Sequence, residues 1–483
     1  MFIKVSAVAI AALQVASFVE AAKKSNSTST SSKLDKPQDY YKSWKSQVDP
    51  TNITIPAISQ TTSTDPVAEC AYYSPTNFEF NEKEWPTIWK TATSNGMDKT
   101  PEFLALYNSI DWTKAPSIKP RKLKSDGSID MAGYDESKDP DCWWSASTCT
   151  VPKIKDVNAD IYTCNEPETW GLTYDDGPNC SHNAFYDYLE EQNLKASMFY
   201  IGSNVIDWPY GAQRGVKAGH HIADHTWSHQ LMTTLSNKEV LAELYYTQKA
   251  IKMVTGVTPM HWRPAMGDVD DRVRWIATQL NLTAVIWDRD TDDWAAGSSK
   301  TVEEVQKTYE DYIEMGSNGT YANSGQITLT HEIDNTTMSL ALKYLPKIQS
   351  AYKHVIDVAT CMNITQPYHE TSITFPTFDE YLSSSANATS TSGASNSTST
   401  TSGDAAGSTN IDLTGADLKP AGNGAVVAAA ASTPAAVSVT VDTAAAATSV
   451  PAAAMQQVAT SAGFQITPNG LALAAAAVAA IVF

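Results

Sequence analysis

Gly171-Leu172-Thr173-Tyr174-Asp175-Asp176-Gly177-Pro178 reads as a short apolar strand running into a turn that carries two adjacent carboxylates. Asp-Asp-Gly-Pro alone is an ordinary turn. Its place after a strand makes it a candidate site, because pockets of α/β folds lie at strand ends. Adjacent strand residues point to opposite faces, but that alternation fails at a strand end, so both acids can reach one pocket. Working outward, Ala196–Ile201, Ala284–Trp287 and Gln326–Thr330 are further short apolar runs bounded by turn residues. Between them Ser228–Val254, with Leu231, Leu235, Val240, Leu241, Leu244 and Ile251, has helical spacing. Strand–helix alternation over residues 161–382 predicts an α/β layered or barrel fold.

His225-Thr226-Trp227-Ser228-His229 places two imidazoles four residues apart. That spacing predicts one face of a helical turn, able to close on a single metal. A third ligand is needed, and Asp175 or Asp176 can supply it. Three more clusters lie at or near expected strand ends: Trp262-Arg263-Pro264-Ala265-Met266-Gly267-Asp268, Asp290-Thr291-Asp292-Asp293-Trp294, and Leu329-Thr330-His331. Each is ordinary in isolation.

The 483 residues carry 34 Lys and Arg against 53 Asp and Glu, a net charge of −19. No basic run stands out, which argues against a nucleic-acid partner. Residues 1–21, with Lys4 ahead of an apolar run from Val5 to Val19, read as a secretory signal peptide. Residues 22–160 begin Ser/Thr-rich and become turn-rich and globular, with no role legible: a propeptide, a lid and a packing partner all fit. Residues 383–460 are Ser, Thr, Ala, Gly and Pro almost throughout, predicting a disordered stalk that cannot bury enough apolar surface to fold. Residues 461–483 join a small-residue triplet (Ser461, Ala462, Gly463), a spacer and the apolar Leu471–Phe483, which predicts a GPI-attachment signal with Ser461 as the attached residue. Asn-X-Ser/Thr triplets headed by Asn26, Asn52, Asn281, Asn318, Asn335, Asn363, Asn387 and Asn396 predict a glycoprotein. Asn179 heads another, but Cys180 at its centre makes it a poor acceptor. The expected location is therefore secreted and GPI-anchored, at the plasma membrane and cell wall.

The five clusters, in this order, resemble the polysaccharide deacetylases of the NodB-homology group (carbohydrate esterase family four). The extended string Arg263–Val273, together with the two termini, is most similar to the fungal chitin deacetylases. The resemblance covers residues 161–382 and implies a distorted (β/α) barrel with fewer strands than the eightfold barrel. It implies Asp176, His225 and His229 as ligands of one divalent metal, zinc or cobalt. It implies Asp175 as general base held by Arg263, and His331 as general acid tuned by Asp290. Trp294 and Leu329 would wall the acetyl pocket, the Met266 N–H would face the developing oxyanion, and Tyr174 would join them in contacting substrate. The family commonly has Pro and an aromatic where this chain has Ala265 and Met266. The implied activity is hydrolysis of N-acetyl groups of chitin to chitosan and acetate, with chitin oligomers and cell-wall glycans as partners. The alternatives are deacetylation of peptidoglycan or acetylxylan, or an inactive wall-binding glycoprotein.

Cys164 precedes the first cluster and Cys361 follows the last, so a bridge between them would tie the ends of the barrel together. Cys142 and Cys149 are near enough for a short loop, which would leave Cys70 and Cys180, but six cysteines permit 15 pairings and only Cys164–Cys361 is expected above chance.

Overall fold

Eight strands form one sheet: β1 (Thr169–Gly177), β2 (Ser197–Tyr200), β3 (His221–Asp224), β4 (His261–Trp262), β5 (Thr283–Ala284), β6 (Arg289–Asp290), β7 (Gln326–Leu329) and β8 (His354–Ile356). The computed structural model describes residues 40–63, 65–71 and 80–391. The strand order is β5-β4-β3-β2-β1-β7-β6, with β8 paired to β1, and every ladder is parallel. Phe199, Ala223, Val285, Ile327 and Ile356, from β2, β3, the end of β5, β7 and β8, meet in one buried cluster. A flat sheet could not bring them together, so the sheet curls. Because β5 and β6 end the path without pairing each other, the barrel stays open, as the distorted (β/α) barrel requires.

Parallel strands need crossovers, and helices supply them. The longest, Asn237–Thr255, starts at a capping box in which Ser236 and Glu239 satisfy each other's backbone N–H groups. It ends at Gly256, whose φ of 86° is the left-handed stop that glycine allows. Val240, Leu241, Leu244 and Ile251 on this helix are buried in a second, outer cluster with Met198, Tyr200 and Ile222 from the sheet. The inner and outer clusters separate by strand parity: Phe199 and Ala223 face inward, Met198, Tyr200 and Ile222 outward.

The described part of residues 22–160 packs on the barrel. Trp44, Ile53, Ile55, Trp85, Met97, Phe103, Leu106 and Ile110 are buried in the same outer cluster as the barrel helices. Several buried barrel side chains reach into this region, Glu243, Asp268 and Arg274 among them. Glu243 Oε1 accepts from Ala92 N at 2.8 Å. Asp268 Oδ1 accepts from Trp143 Nε1 and Ser145 Oγ. Arg274 donates to both carboxylate oxygens of Asp160 and to the carbonyls of Cys142 and Cys149. Disulfides join Cys164 to Cys361, Cys142 to Cys149 and Cys70 to Cys180, the last tying this region to the barrel.

The signal peptide, the GPI segment with Ser461, Asn26 and Asn396 lie outside the described residues. The helix Phe378–Thr391 runs past residue 382, where the stalk was expected to begin, and contains Asn387. Thr377 and Glu380 cap its start reciprocally, and Phe378 packs on His354. Asn52, Asn318, Asn335 and Asn363 are exposed, and Asn281 is half-buried. Among the described residues no helix is long and apolar enough to cross a membrane.

Candidate active site

The inward parity of the strands carries past their carboxyl ends and delivers the polar groups. Thr173 leads to Asp175, Ala223 to His225, and Leu329 to His331, each two residues on and so on the same face. Arg263 arrives likewise just after β4. Asp176 would by the same rule face away. Instead the β1–β2 register shifts between Asp175 and Gly177, and Asp176 has φ 73°. This bulge turns its carboxylate back beside that of Asp175. Asn204 Nδ2 holds the Asp176 carbonyl at 2.7 Å, and glycine at 177 leaves room for the buried Glu332 carboxylate, which a Cβ there would overlap.

His225 and His229 do not sit on a helical turn; they lie on the loop after β3. Thr226 N donates to Asp224 Oδ1 at 2.8 Å, Thr226 and His229 have φ 67° and 54°, and Glu243 accepts from Ser228 N and Oγ. A helix would break all of these contacts. The loop still brings both imidazoles to Asp176: His225 Nε2 is 3.4 Å and His229 Nε2 3.3 Å from its Oδ1. His225 Nδ1 donates to the Arg263 carbonyl at 2.8 Å, which leaves Nε2 as the lone-pair atom facing the site.

One donor atom each from Asp176, His225 and His229 falls within 4.8 Å of the other two. Asp176 Oδ1 is buried and receives no hydrogen bond. A buried carboxylate oxygen faced by two imidazole nitrogens needs a positive partner, and a cation shared among the three supplies one. Burial lowers the His229 pKa, favouring the neutral imidazole. Burial alone would raise that of Asp176, but His229 and His225 outweigh it and hold the carboxyl well below its usual range. These are the protonation states a metal requires. The residues present therefore fit one divalent cation.

Asp175 is 2% exposed, and Arg263 Nη1 donates to its Oδ1 at 2.6 Å. The guanidinium is itself fixed by Thr173 Oγ1, the carbonyls of Val285 and Ile286, and the Phe199 ring 3.9 Å from Cζ. His331 faces Asp175 across a β1–β7 bridge.

The carboxylate on His331 is Asp293 and not Asp290, which corrects the sequence expectation. Asp293 Oδ1 is 2.6 Å from His331 Nδ1, and its Oδ2 accepts from His331 N at 2.8 Å. Asp290 Oδ1 instead accepts from Asp292 N, and desolvation first, then Asp292, pushes its pKa up to about 7. The choice is made by Asp292, whose φ of 58° reverses the chain and swings Asp293 beneath the imidazole. Burial would lower the His331 pKa, but Asp293 outweighs it, raising the value to about 10.

Tyr174 does not join the site. It is 2% exposed and its ring packs edge-on against Phe185, 4.6 Å between centroids, on the helix side of the sheet. Alternation sends it opposite to Asp175. Leu329 is buried on the inward parity of Ile327, Trp294 is half-buried directly after Asp293, and Met266 is half-buried in a tight turn after β4 with φ 56°.

Residues 163–285 match the polysaccharide deacetylase family. A curated relative, the chitin deacetylase of Amylomyces rouxii, is 68% identical over 338 residues, covering 70% of this chain and 80% of its own. Chitin deacetylase 2 of Cryptococcus neoformans var. grubii is 49% identical over 335 residues, 69% of this chain and 73% of its own.

Proposed function

The chain belongs to the polysaccharide deacetylase family, and from that premise we propose that it hydrolyses the N-acetyl groups of chitin, giving chitosan and acetate. The observation that carries this reading is convergence: an ion-paired acid, a three-residue cation site and a proton-bearing imidazole share one barrel mouth.

Asp176, His225 and His229 would hold one divalent cation, and two imidazoles with one carboxylate suit zinc or cobalt. A cation held there would polarise the acetamide carbonyl and acidify water. Asp175, fixed by Arg263, accepts the proton of the attacking water as its oxygen bonds to the carbonyl carbon. His331, kept protonated by Asp293, donates its proton to the nitrogen as the C–N bond breaks, so that a free amine leaves. In this reading Leu329 and Trp294 would shape the acetyl pocket, and the Met266 N–H would face the oxyanion.

The two ends of the sequence support secretion through residues 1–21 and GPI attachment at Ser461, with the enzyme at the plasma membrane and cell wall. Release of the protein from intact cells by a phosphatidylinositol-specific phospholipase is expected. For the activity, acetate should be released from chitin oligomers, stop with a chelator, and return with zinc or cobalt. Release from acetylxylan or peptidoglycan fragments and none from chitin would overturn the substrate.

A further inference from the structure

Trp144 lies in the short helix Trp144–Ser147, ahead of the barrel. Its ring meets that of Trp287 edge-on, with centroids 4.7 Å apart and planes at 63°. Both side chains are half-buried. Trp287 follows Val285 on the inward parity, and Arg263 Cζ lies 5.5 Å from its ring. The same guanidinium holds Asp175, so the indole pair is one residue removed from the base.

The loop after β4 is shaped to admit both rings. Gly267 has φ 66°, and a Cβ on it would lie 2.5 Å from Trp144 Cζ3 and 3.0 Å from Trp287. The backbone under Trp144 is clamped. Its N–H donates to Val269 O at 2.9 Å. Asp268, fully buried, accepts from Trp143 Nε1 and Ser145 Oγ on either side and from Thr233 N and Oγ1. The Cys142–Cys149 disulfide closes the same short segment.

A half-buried indole on a fixed backbone offers its remaining apolar face at little ordering cost. Pyranose rings present flat C–H faces edged by hydroxyls, which suits such a surface. We infer that Trp144, supplied from outside the barrel, forms with Trp287 an aromatic platform for a sugar unit neighbouring the one deacetylated, and so sets preference for chain length. This rests on the chitin reading above.

Steady-state kinetics of the full chain on chitin oligomers of increasing length test it. Trp144→Ala should raise KM roughly tenfold for long oligomers, with a smaller change in kcat and a loss that grows with length. In an Asp175→Asn background, adding Trp144→Ala should weaken oligomer binding, read by calorimetry, by about the same factor. A Trp144→Ala enzyme with wild-type melting temperature and wild-type KM at every length would overturn the platform. Should that variant not fold, Trp144→Phe decides: a severalfold higher KM supports the inference, and a wild-type KM overturns it. A wild-type enzyme releasing no acetate from any oligomer would instead defeat the substrate reading, and the platform with it.

Discussion

His331 presents both its ring and its backbone to one carboxylate: Asp293 accepts from Nδ1 at 2.6 Å and from the amide N–H at 2.8 Å. The double contact fixes the ring as well as its charge, and leaves Nε2 as the only ring nitrogen free to serve substrate.

The pH dependence follows from that pair. A His331 pKa raised from 6.5 to about 10 means the pair's contribution is full below the free value and is lost as pH rises through about 10. Asp293→Asn should move the alkaline limb of the kcat/KM profile to lower pH and cut turnover about a hundredfold. Asp290→Asn should leave that limb in place. Rate profiles of the two variants beside wild type check this, and the reverse ranking would reinstate Asp290.

Removing the base should separate chemistry from metal binding. Asp175→Asn is expected to lower acetate release by roughly a hundredfold or more while metal content stays stoichiometric by elemental analysis. His225→Ala and His229→Ala should lose the metal itself.

Arg263 is wholly buried with Asp175, so Arg263→Ala leaves an unpaired carboxylate in the interior. A loss of about 3–5 kcal/mol is expected in denaturant unfolding. The double change Arg263→Leu/Asp175→Leu should cost less than the single one, because no charge is then stranded.

Gly177→Ala forces a methyl group into the space of the Glu332 carboxylate, and about 3 kcal/mol should be lost. Glu332 is held there by Tyr186 and His182. Paired with Glu332→Ala, the glycine change should become much milder, which a double-mutant cycle measures as strong coupling.

The strands that announced themselves were those with apolar runs, β1, β2 and β7. β3 (His221–Asp224) and β4 (His261–Trp262) did not, since two to four residues with polar members become strands only through their neighbours' hydrogen bonds. The ligand pair was legible from spacing, although the helix invoked for it does not form: Asp224 and Glu243 claim the backbone of that loop. Asp293 was hidden among three nearby acids because the choice depends on one left-handed residue, Asp292. Tyr174, expected at the substrate, lies on the opposite face because strand alternation turns it away from Asp175 toward Phe185. The described part of residues 22–160 packs against the barrel, a contact its turn-rich sequence does not announce.

That packing makes the two regions hard to exchange as modules. Glu243, Asp268 and Arg274 each take some of their partners from residues ahead of the barrel. A fragment starting at residue 161 would leave these side chains, and others such as Gln248, Tyr246 and Asp271, without those partners, while a foreign leader would need matching donors and acceptors at the same points. Substitutions in the leader and in these three residues should thus be inherited together, and domain grafting between relatives should succeed only when both sides of the seam travel as one piece.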